Sequence, residues 1–470
     1  MAYKISINEL QNGILHVVKR FPLLLAVCIF GTLSIMHIVE GNDEQYTTAM
    51  LISVLALSTL VSIVLISESF NLSTLFSLII QFVFIGLFIL YWYTMPLSFF
   101  DSANKHIYRF FGFLFASHLL VSFSAFIKSR NLLAFWDFNQ QLFFRWLFGV
   151  AYSIVIYAGI AGAITAVKYL FDVEVRNEAY GHLFAIIAGI IHPVYFLSGV
   201  PRLNLSEDEI EINYGKALRI LCIYILIPIV IIYLLILYAY SGKIILQGNW
   251  PKGWVANLVT GFSISGILTL LLIFPIRNKD DQSLARLYFK YFFIILMPIL
   301  ILLYLSIGKR IGDYGFTEDR IIILSLAIWL SILAIYFIFI NHNNIRFIPI
   351  SLFTITVLIL VGPYSMFSIS KNSQLKLLSK YLIENKILIN GKVAELNETQ
   401  ENNIKSFNRF KITSLVNHLI MYNGIEVLQP FFKEPLVTVE ENSRWNQSDV
   451  IFRKMGIEPL YYFDTYDNYS

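Results

Sequence analysis

Residues 217 to 240 read ALRILCIYILIPIVIIYLLILYAY, and only Arg219 among them is charged. About 20 apolar residues in a row make a helix long enough to cross a hydrocarbon layer roughly 30 Å thick. Inside that layer every backbone N–H and C=O must find its partner within the protein, which leaves helices and closed barrels. Barrel strands alternate apolar with polar residues. This run does not alternate, so it reads as a helix. The pattern recurs, and eleven spans are expected: 21–39, 47–67, 72–94, 107–126, 142–167, 181–200, 217–240, 253–275, 291–308, 321–340 and 347–368. With 57% hydrophobic and 14% charged residues and a mean hydropathy of +0.67, the chain lacks the polar surface of a water-soluble protein. The expected class is an all-α polytopic membrane protein, and the first partner it implies is a lipid bilayer.

An odd number of spans puts the two termini on opposite sides. Counting Lys and Arg in alternate connections before residue 371 gives fourteen on the N-terminal side and nine on the other. Basic residues are retained in the cytoplasm, so the N-terminus is expected inside and the C-terminus outside. The net charge of +4 is small and dispersed among loops. That distribution serves topology and offers no stripe for nucleic acid. No peptidase pattern follows the first apolar run, so residues 21–39 are expected to persist as a span. Ahead of it, Ile7, Leu10, Ile14 and Val18 recur at three- and four-residue spacing. Residues 1–20 are therefore expected to include an interfacial amphipathic helix.

Composition shifts near residue 370. The last hundred residues hold twelve Lys or Arg and twelve Asp or Glu, out of 66 charged residues in the whole chain. Residues 21–370 are thus read as the membrane bundle, and 371–470 as a small, mostly helical extracytoplasmic soluble domain. Within it, SQLKLLSKYLIENK (373–386) aligns Leu375, Leu378 and Leu382 on one helical face. Asn390-Gly391 suits a two-residue hairpin turn. A second helix is expected over about 399–422, stopped by Asn423 and Gly424. The sequence ends at YYFDTYDNYS without a basic trailer, and a longer natural chain is expected.

Between the ninth and tenth spans lies RIGDYGFTEDR (310–320), five of whose eleven residues are charged. Part of it reads as punctuation. Gly312 and Gly315 would reverse the chain, Thr317 would cap the next helix, and Glu318 and Asp319 would sit in a first turn that favours anions. Arg310, Asp313, Tyr314, Glu318 and Arg320 together are more than a turn needs. Two guanidinium groups beside a membrane surface can grip a phosphate or carboxylate in a two-pronged contact, or can lock two helices by ion pairs. These five are the candidate binding residues, and an anionic lipid or lipid-linked ligand is the candidate partner.

Elsewhere the chemistry is thin. His182 and His192 share a span but stand roughly 15 Å apart along a helix, too far to ligate one metal. They and His118 read as packed, hydrogen-bonded histidines. Pro193, Pro228 and Pro298 interrupt spans and free carbonyls that neighbours or a wet cavity must satisfy. Ala158 with Gly162, and Ala185 with Gly189, read as close-approach packing positions. Trp136 and Phe138 read as interfacial anchors. Glu40, Asp43 and Glu44 in the first outer loop are similar in kind to the paired acids of lipid-linked-sugar glycosyltransferases, although that loop has only about seven residues. Cys28 and Cys222 fall inside spans and suggest no disulfide framework. No nucleophile triad, phosphate-binding loop, metal-spaced motif or dinucleotide fingerprint occurs, so no cofactor is expected.

FWDFNQQLFFRWLFGVAYS (135–153), RIGDYGFTEDR, SKYLIENKILINGK (379–392) and IEVLQPFF (425–432) together resemble a bacterial polytopic membrane-protein family known only as a domain of unknown function, the 4153 family. The resemblance spans nearly the whole chain, and its most specific part is Tyr314, Gly315, Thr317 and Arg320. It implies a bacterial inner-membrane location and brings no substrate, cofactor or catalytic residue. The expected role is non-enzymatic, in envelope transport or assembly. An enzyme acting on a lipid-linked substrate at the outer face, or a sensor whose tail meets an envelope protein, are the alternatives.

Overall fold

The computed structural model describes residues 7–41, 43–100, 102–202, 214–247, 254–279, 282–341, 343–394, 404–436 and 444–461. Among the described residues, ten helices are long and apolar enough to cross a membrane, and a shorter apolar helix, Phe347–Leu360, makes an eleventh apolar element. After the short leading helix α1 (Ile7–Arg20), these are α2 (Pro22–Val39), α3 (Asp43–Ser69), α4 (Thr74–Tyr93), α5 (Asn104–Ser124), α6 (Leu132–Leu170), α7 (Glu178–Ser198), α8 (Lys216–Gln247), α9 (Trp254–Ile273), α10 (Ser283–Tyr314), α11 (Glu318–Ile340) and α12 (Phe347–Leu360). The described residues after these include the α-helices α13 (Met366–Glu384), α14 (Ser406–Asn423) and α15 (Arg444–Met455). The protein is an all-α polytopic membrane protein.

Long-range contacts sort the connections into two ends. At one end, Arg20 forms a two-pronged pair with Glu68, at 2.7 Å on both nitrogens, and donates to the carbonyls of Val200 and Pro201. Arg145 donates to the Tyr195 carbonyl and Arg346 to those of Phe126 and Ser129. Each of these fills orphan carbonyls where a neighbouring helix stops. At the opposite end, Glu40 lies 3.5 Å from His182, and Tyr108 bonds Asp319. These ends match the two alternating sets of connections read from the sequence.

Several expectations change. Helix α6 runs unbroken for 39 residues from Leu132, so it begins ten residues before the expected start of that span at 142. Trp136 and Phe138 are buried, and Trp136 Nε1 donates to the Leu271 carbonyl at 2.7 Å. They serve as core packing rather than as lipid-facing anchors. Gly162 has open space around it, so Ala158 and Gly162 form no helix contact, whereas Gly189 is pressed against Thr32 of α2. His192 packs against Gly149, and His118 bonds its own helix at Leu114.

Two of the three prolines solve their backbone problem locally. A π turn at Ile187–Ile191 precedes Pro193, and another at Leu221–Leu226 precedes Pro228. There the N–H of His192 reaches Ile187 O and that of Ile227 reaches Cys222 O, five residues back. The register change satisfies carbonyls next to a ring that cannot donate. Pro298 lies inside α10 without a break.

In α1, Ile14, Leu15 and Val18 are exposed and Val17 is buried, while the side chains of Ile7 and Leu10 lie outside the described residues. After α12 the chain turns and enters α13, five residues before the expected start of the tail. Strands Leu388–Ile389 and Lys392–Val393 pair antiparallel around Asn390 and Gly391, whose φ values of 52° and 76° meet the demand of a tight turn. A tail cluster including Leu378, Leu382, Ile412, Leu419 and Phe452 forms an apolar core apart from that of the bundle.

Candidate functional site

The charged stretch 310–320 is mostly helix. Lys309 to Tyr314 continue α10 beyond its apolar part, because polar residues past the hydrocarbon edge cost a helix little. The chain reverses at Gly315 alone, with φ +71°. A Cβ there would stand 2.9 Å from Ser373 Oγ and 3.0 Å from Gln374 Nε2, so both the backbone angle and the close approach of α13 require glycine. Thr317 occupies the capping position of α11 but its side chain makes no capping hydrogen bond, contrary to expectation. Gly312 is an ordinary exposed helical residue.

Two side chains of α13, one a donor and one an acceptor, hold this reversal against the tail. Gln374 Nε2 donates to the carbonyls of Tyr314 (3.1 Å) and Phe316 (2.6 Å), and Ser373 Oγ accepts from Phe316 N–H at 2.9 Å. From the other side, Arg320 Nη1 donates to the carbonyls of Tyr314 (3.1 Å) and Gly315 (2.8 Å). One guanidinium nitrogen of α11 thereby closes the end of α10.

Between this reversal and α14 lies a polar cleft of about 250 Å³. Tyr314, Thr317, Asp319 and Arg320 form one wall, and Gln374, Leu377, Lys411, Ser414, Leu415, His418 and Tyr422 form the other. Lys411 is only 8% exposed, and its Nζ sits 3.6 Å over the Tyr314 ring. Burial lowers its pKa, while the carboxylate of Asp313 raises it. Asp319 accepts from Tyr108 Oη at 3.0 Å, and Tyr108 Oη in turn accepts from Tyr422 at 3.3 Å. Burial pushes the Tyr422 phenol above its ordinary range.

Behind the cleft, Glu318 is fully buried. Its Oε2 is 3.1 Å from His418 Nε2, and neither carboxylate oxygen has a well-aligned hydrogen bond. Ser370 Oγ stands 3.4 Å from the same nitrogen. A serine–histidine–acid relay needs the hydroxyl and the acid on different ring nitrogens. Here both meet Nε2, so the trio fastens α14 to the bundle and is not built as a nucleophile relay.

Of the five residues singled out in the sequence, Tyr314 and Arg320 line the cleft and Glu318 anchors its far wall. Asp313 acts on Lys411 through space, and Arg310 lies one turn before Tyr314, outside the lining. Lys411, His418, Tyr422, Asp319 and Gln374 complete the site. A signal for part of this was present: Lys411, Ser414, Leu415, His418 and Tyr422 recur at three- and four-residue spacing on one helix. Elsewhere, Glu40 pairs with His37 and His182, while the side chains of Asp43 and Glu44 lie outside the described residues. Among the described residues no group of three or more His, Cys, Asp or Glu side chains is placed to hold a metal.

The chain resembles "Uncharacterized protein PM1469" of Pasteurella multocida (strain Pm70), with 25% identity over 338 residues, covering 70% of this chain and 54% of that one. The chain thus spans about half the length of that relative. No solved structure matches. A family model described as "Domain of unknown function (DUF4153)" matches residues 24–387. The match takes in Tyr314, Asp319, Arg320 and Gln374, and it ends before Lys411 and His418. Because it runs from the first spanning helix through the first helix of the tail, well over half the sequence, the chain belongs to this family, DUF4153.

Proposed function

We propose that the protein is a non-catalytic component of a bacterial cytoplasmic membrane, acting in envelope transport or assembly, and that the cleft between α11 and α14 holds an anionic headgroup. In this reading residues from about 366 onward are a soluble unit on the outer side, docked on the bundle, and a lipid or lipid-linked ligand enters where the two meet. One observation supports it most: Arg320 from a spanning helix and Lys411 from the tail line one polar cleft beside the end of the apolar part of α10. Two cations on a low-dielectric wall attract a phosphate or carboxylate more strongly than they would in open water.

The test is an Arg320→Ala, Lys411→Ala double variant, purified in mild detergent and compared with wild type for retained anionic lipid by native mass spectrometry. The expected result is loss of that lipid per molecule of folded, membrane-inserted protein. Equal retention by both proteins overturns the reading.

A further inference from the structure

We propose that the cleft recognises a zwitterionic phospho-amine headgroup of the phosphoethanolamine type, with Asp319 as the acceptor for the amine. The inference rests on the headgroup-binding reading above and deepens it.

The cleft carries both signs of charge, Lys411 and Arg320 against Asp319, and carboxylates act on both cations, Asp313 on Lys411 and Asp319 on Arg320. On one side stand Lys411 and Arg320 around the Tyr314 ring. Arg320 uses Nη1 on the carbonyls of Tyr314 and Gly315, which leaves its remaining N–H groups for a ligand. Lys411 has no carboxylate within ion-pair range among the described residues, although it is almost wholly buried. A buried ammonium over an aromatic face calls for an anion to complete its shell.

On the other side stands Asp319, exposed at the cleft edge. Tyr422 donates to Tyr108, and Tyr108 donates to Oδ1 of Asp319. Both hydroxyl protons therefore point towards the carboxylate, and Oδ2 and the Tyr422 oxygen remain acceptors. A purely anionic ligand would be repelled here. A primary ammonium, with three N–H donors, matches two oxygens flanked by aromatic rings.

The level in the fold completes the argument. The cleft sits at the first turn of α11 and at the last turn of α10, where a headgroup lies when its acyl chains run beside the apolar parts of those helices. A small headgroup also suits a cavity below the roughly 300–1,000 Å³ of sites for drug-sized ligands.

The full chain in detergent is titrated with phosphatidylethanolamine, phosphatidylcholine and phosphatidylglycerol, and bound lipid is counted by native mass spectrometry. Wild type is expected to favour phosphatidylethanolamine by about tenfold over both others, the factor that one charge-assisted contact supplies. Choline lacks N–H donors and glycerol lacks the positive charge. Asp319→Asn should reduce that preference to parity, weakening phosphatidylethanolamine and strengthening phosphatidylglycerol, whose repulsion it removes, with an unaltered melting temperature as the folding control. Lys411→Gln should weaken all three.

Equal binding of the three lipids by wild type, with Lys411→Gln still weakening them, overturns the amine assignment and leaves the anionic-headgroup reading standing. Insensitivity to Lys411→Gln and Arg320→Ala overturns both. Soluble glycerophosphoethanolamine is the final competitor and should displace lipid poorly. Displacement at equal concentration reassigns the ligand to a soluble phospho-amine and overturns the lipid assignment.

Discussion

Glu318 and His418 meet at 3.1 Å, one from the first turn of a membrane helix and the other from the middle of a tail helix, and the carboxylate is sealed from solvent. A buried carboxylate that loses its ion-pair partner costs about 3–5 kcal/mol. His418→Ala is therefore expected to loosen the tail sharply, and Glu318→Gln to do so less, since a neutral amide leaves no buried charge behind. Limited proteolysis of the α14 region in detergent is the measurement. Equal cleavage of wild type and His418→Ala would contradict the assignment.

The reversal between α10 and α11 ranks three substitutions. Gly315→Ala should cost about 1–3 kcal/mol from a positive-φ, extended-ψ backbone that is nearly exclusive to glycine, plus displacement of Ser373 and Gln374. Arg320→Ala removes a charged donor from two carbonyls, worth about 1.5–3 kcal/mol. Thr317→Ala removes no hydrogen bond and should stay within about 0.5 kcal/mol. Thermal melts of the three variants test the order, and a Thr317→Ala loss as large as that of Arg320→Ala would refute it.

Alkaline pH should release the tail. The Tyr422 pKa is raised in the folded protein above its ordinary 10.0, so the unfolded state loses its proton first. The associated stability is complete below pH 10.0 and falls as pH rises towards the folded value. Lys411 acts with the opposite sign: its pKa is lowered from 10.5, so the penalty for burying its charge fades as pH approaches 10.5. Tyr422→Phe should flatten the loss and Lys411→Met should steepen it, read as proteolytic release between pH 8 and 11.

Topology has a direct test at exposed, described positions. Cysteines placed at Glu174 and Lys376 should label from one side of the membrane and a cysteine at Arg130 from the other, with the first two extracytoplasmic. Labelling of Arg130→Cys and Lys376→Cys from the same side would overturn the arrangement.

A tail fragment begun at Ser365, whose side chain caps α13, should unfold cooperatively when expressed alone, since it retains the apolar cluster around Leu378, Ile412 and Phe452. One begun at Lys371 cuts into that helix and should melt lower. Featureless melts of both would show that the tail needs the bundle.

How much of this was legible in the letters depended on how local each signal is. The Asn390-Gly391 turn and the Gly424 stop are encoded within a few residues and occur as read, and ten of the eleven long apolar runs form helices of spanning length among the described residues, the run at 347–368 giving only the shorter Phe347–Leu360. The end of α10 was misread because Arg310 and Asp313 look like loop residues, yet an exposed charge past the membrane edge does not end a helix. Trp136 was misread because a buried indole that donates to Leu271 and one anchored among headgroups have the same local sequence. The cleft was half legible. Tyr314 and Arg320 stood out by charge and turn chemistry, but nothing local ties them to Lys411 and His418, which approach only when the tail folds back.

The arginines at the Arg20 end carry a consequence for how such a chain changes over evolutionary time. Insertion reads them as charge, and any basic residue satisfies that reading. The folded protein reads Arg20, Arg145 and Arg346 as planar forks seated on the carbonyls of helix ends. Lysine there would preserve orientation and lose the fork. Drift from arginine to lysine would therefore be silent during biogenesis and visible only afterwards, as a correctly oriented protein with frayed helix ends and a shorter life in the membrane.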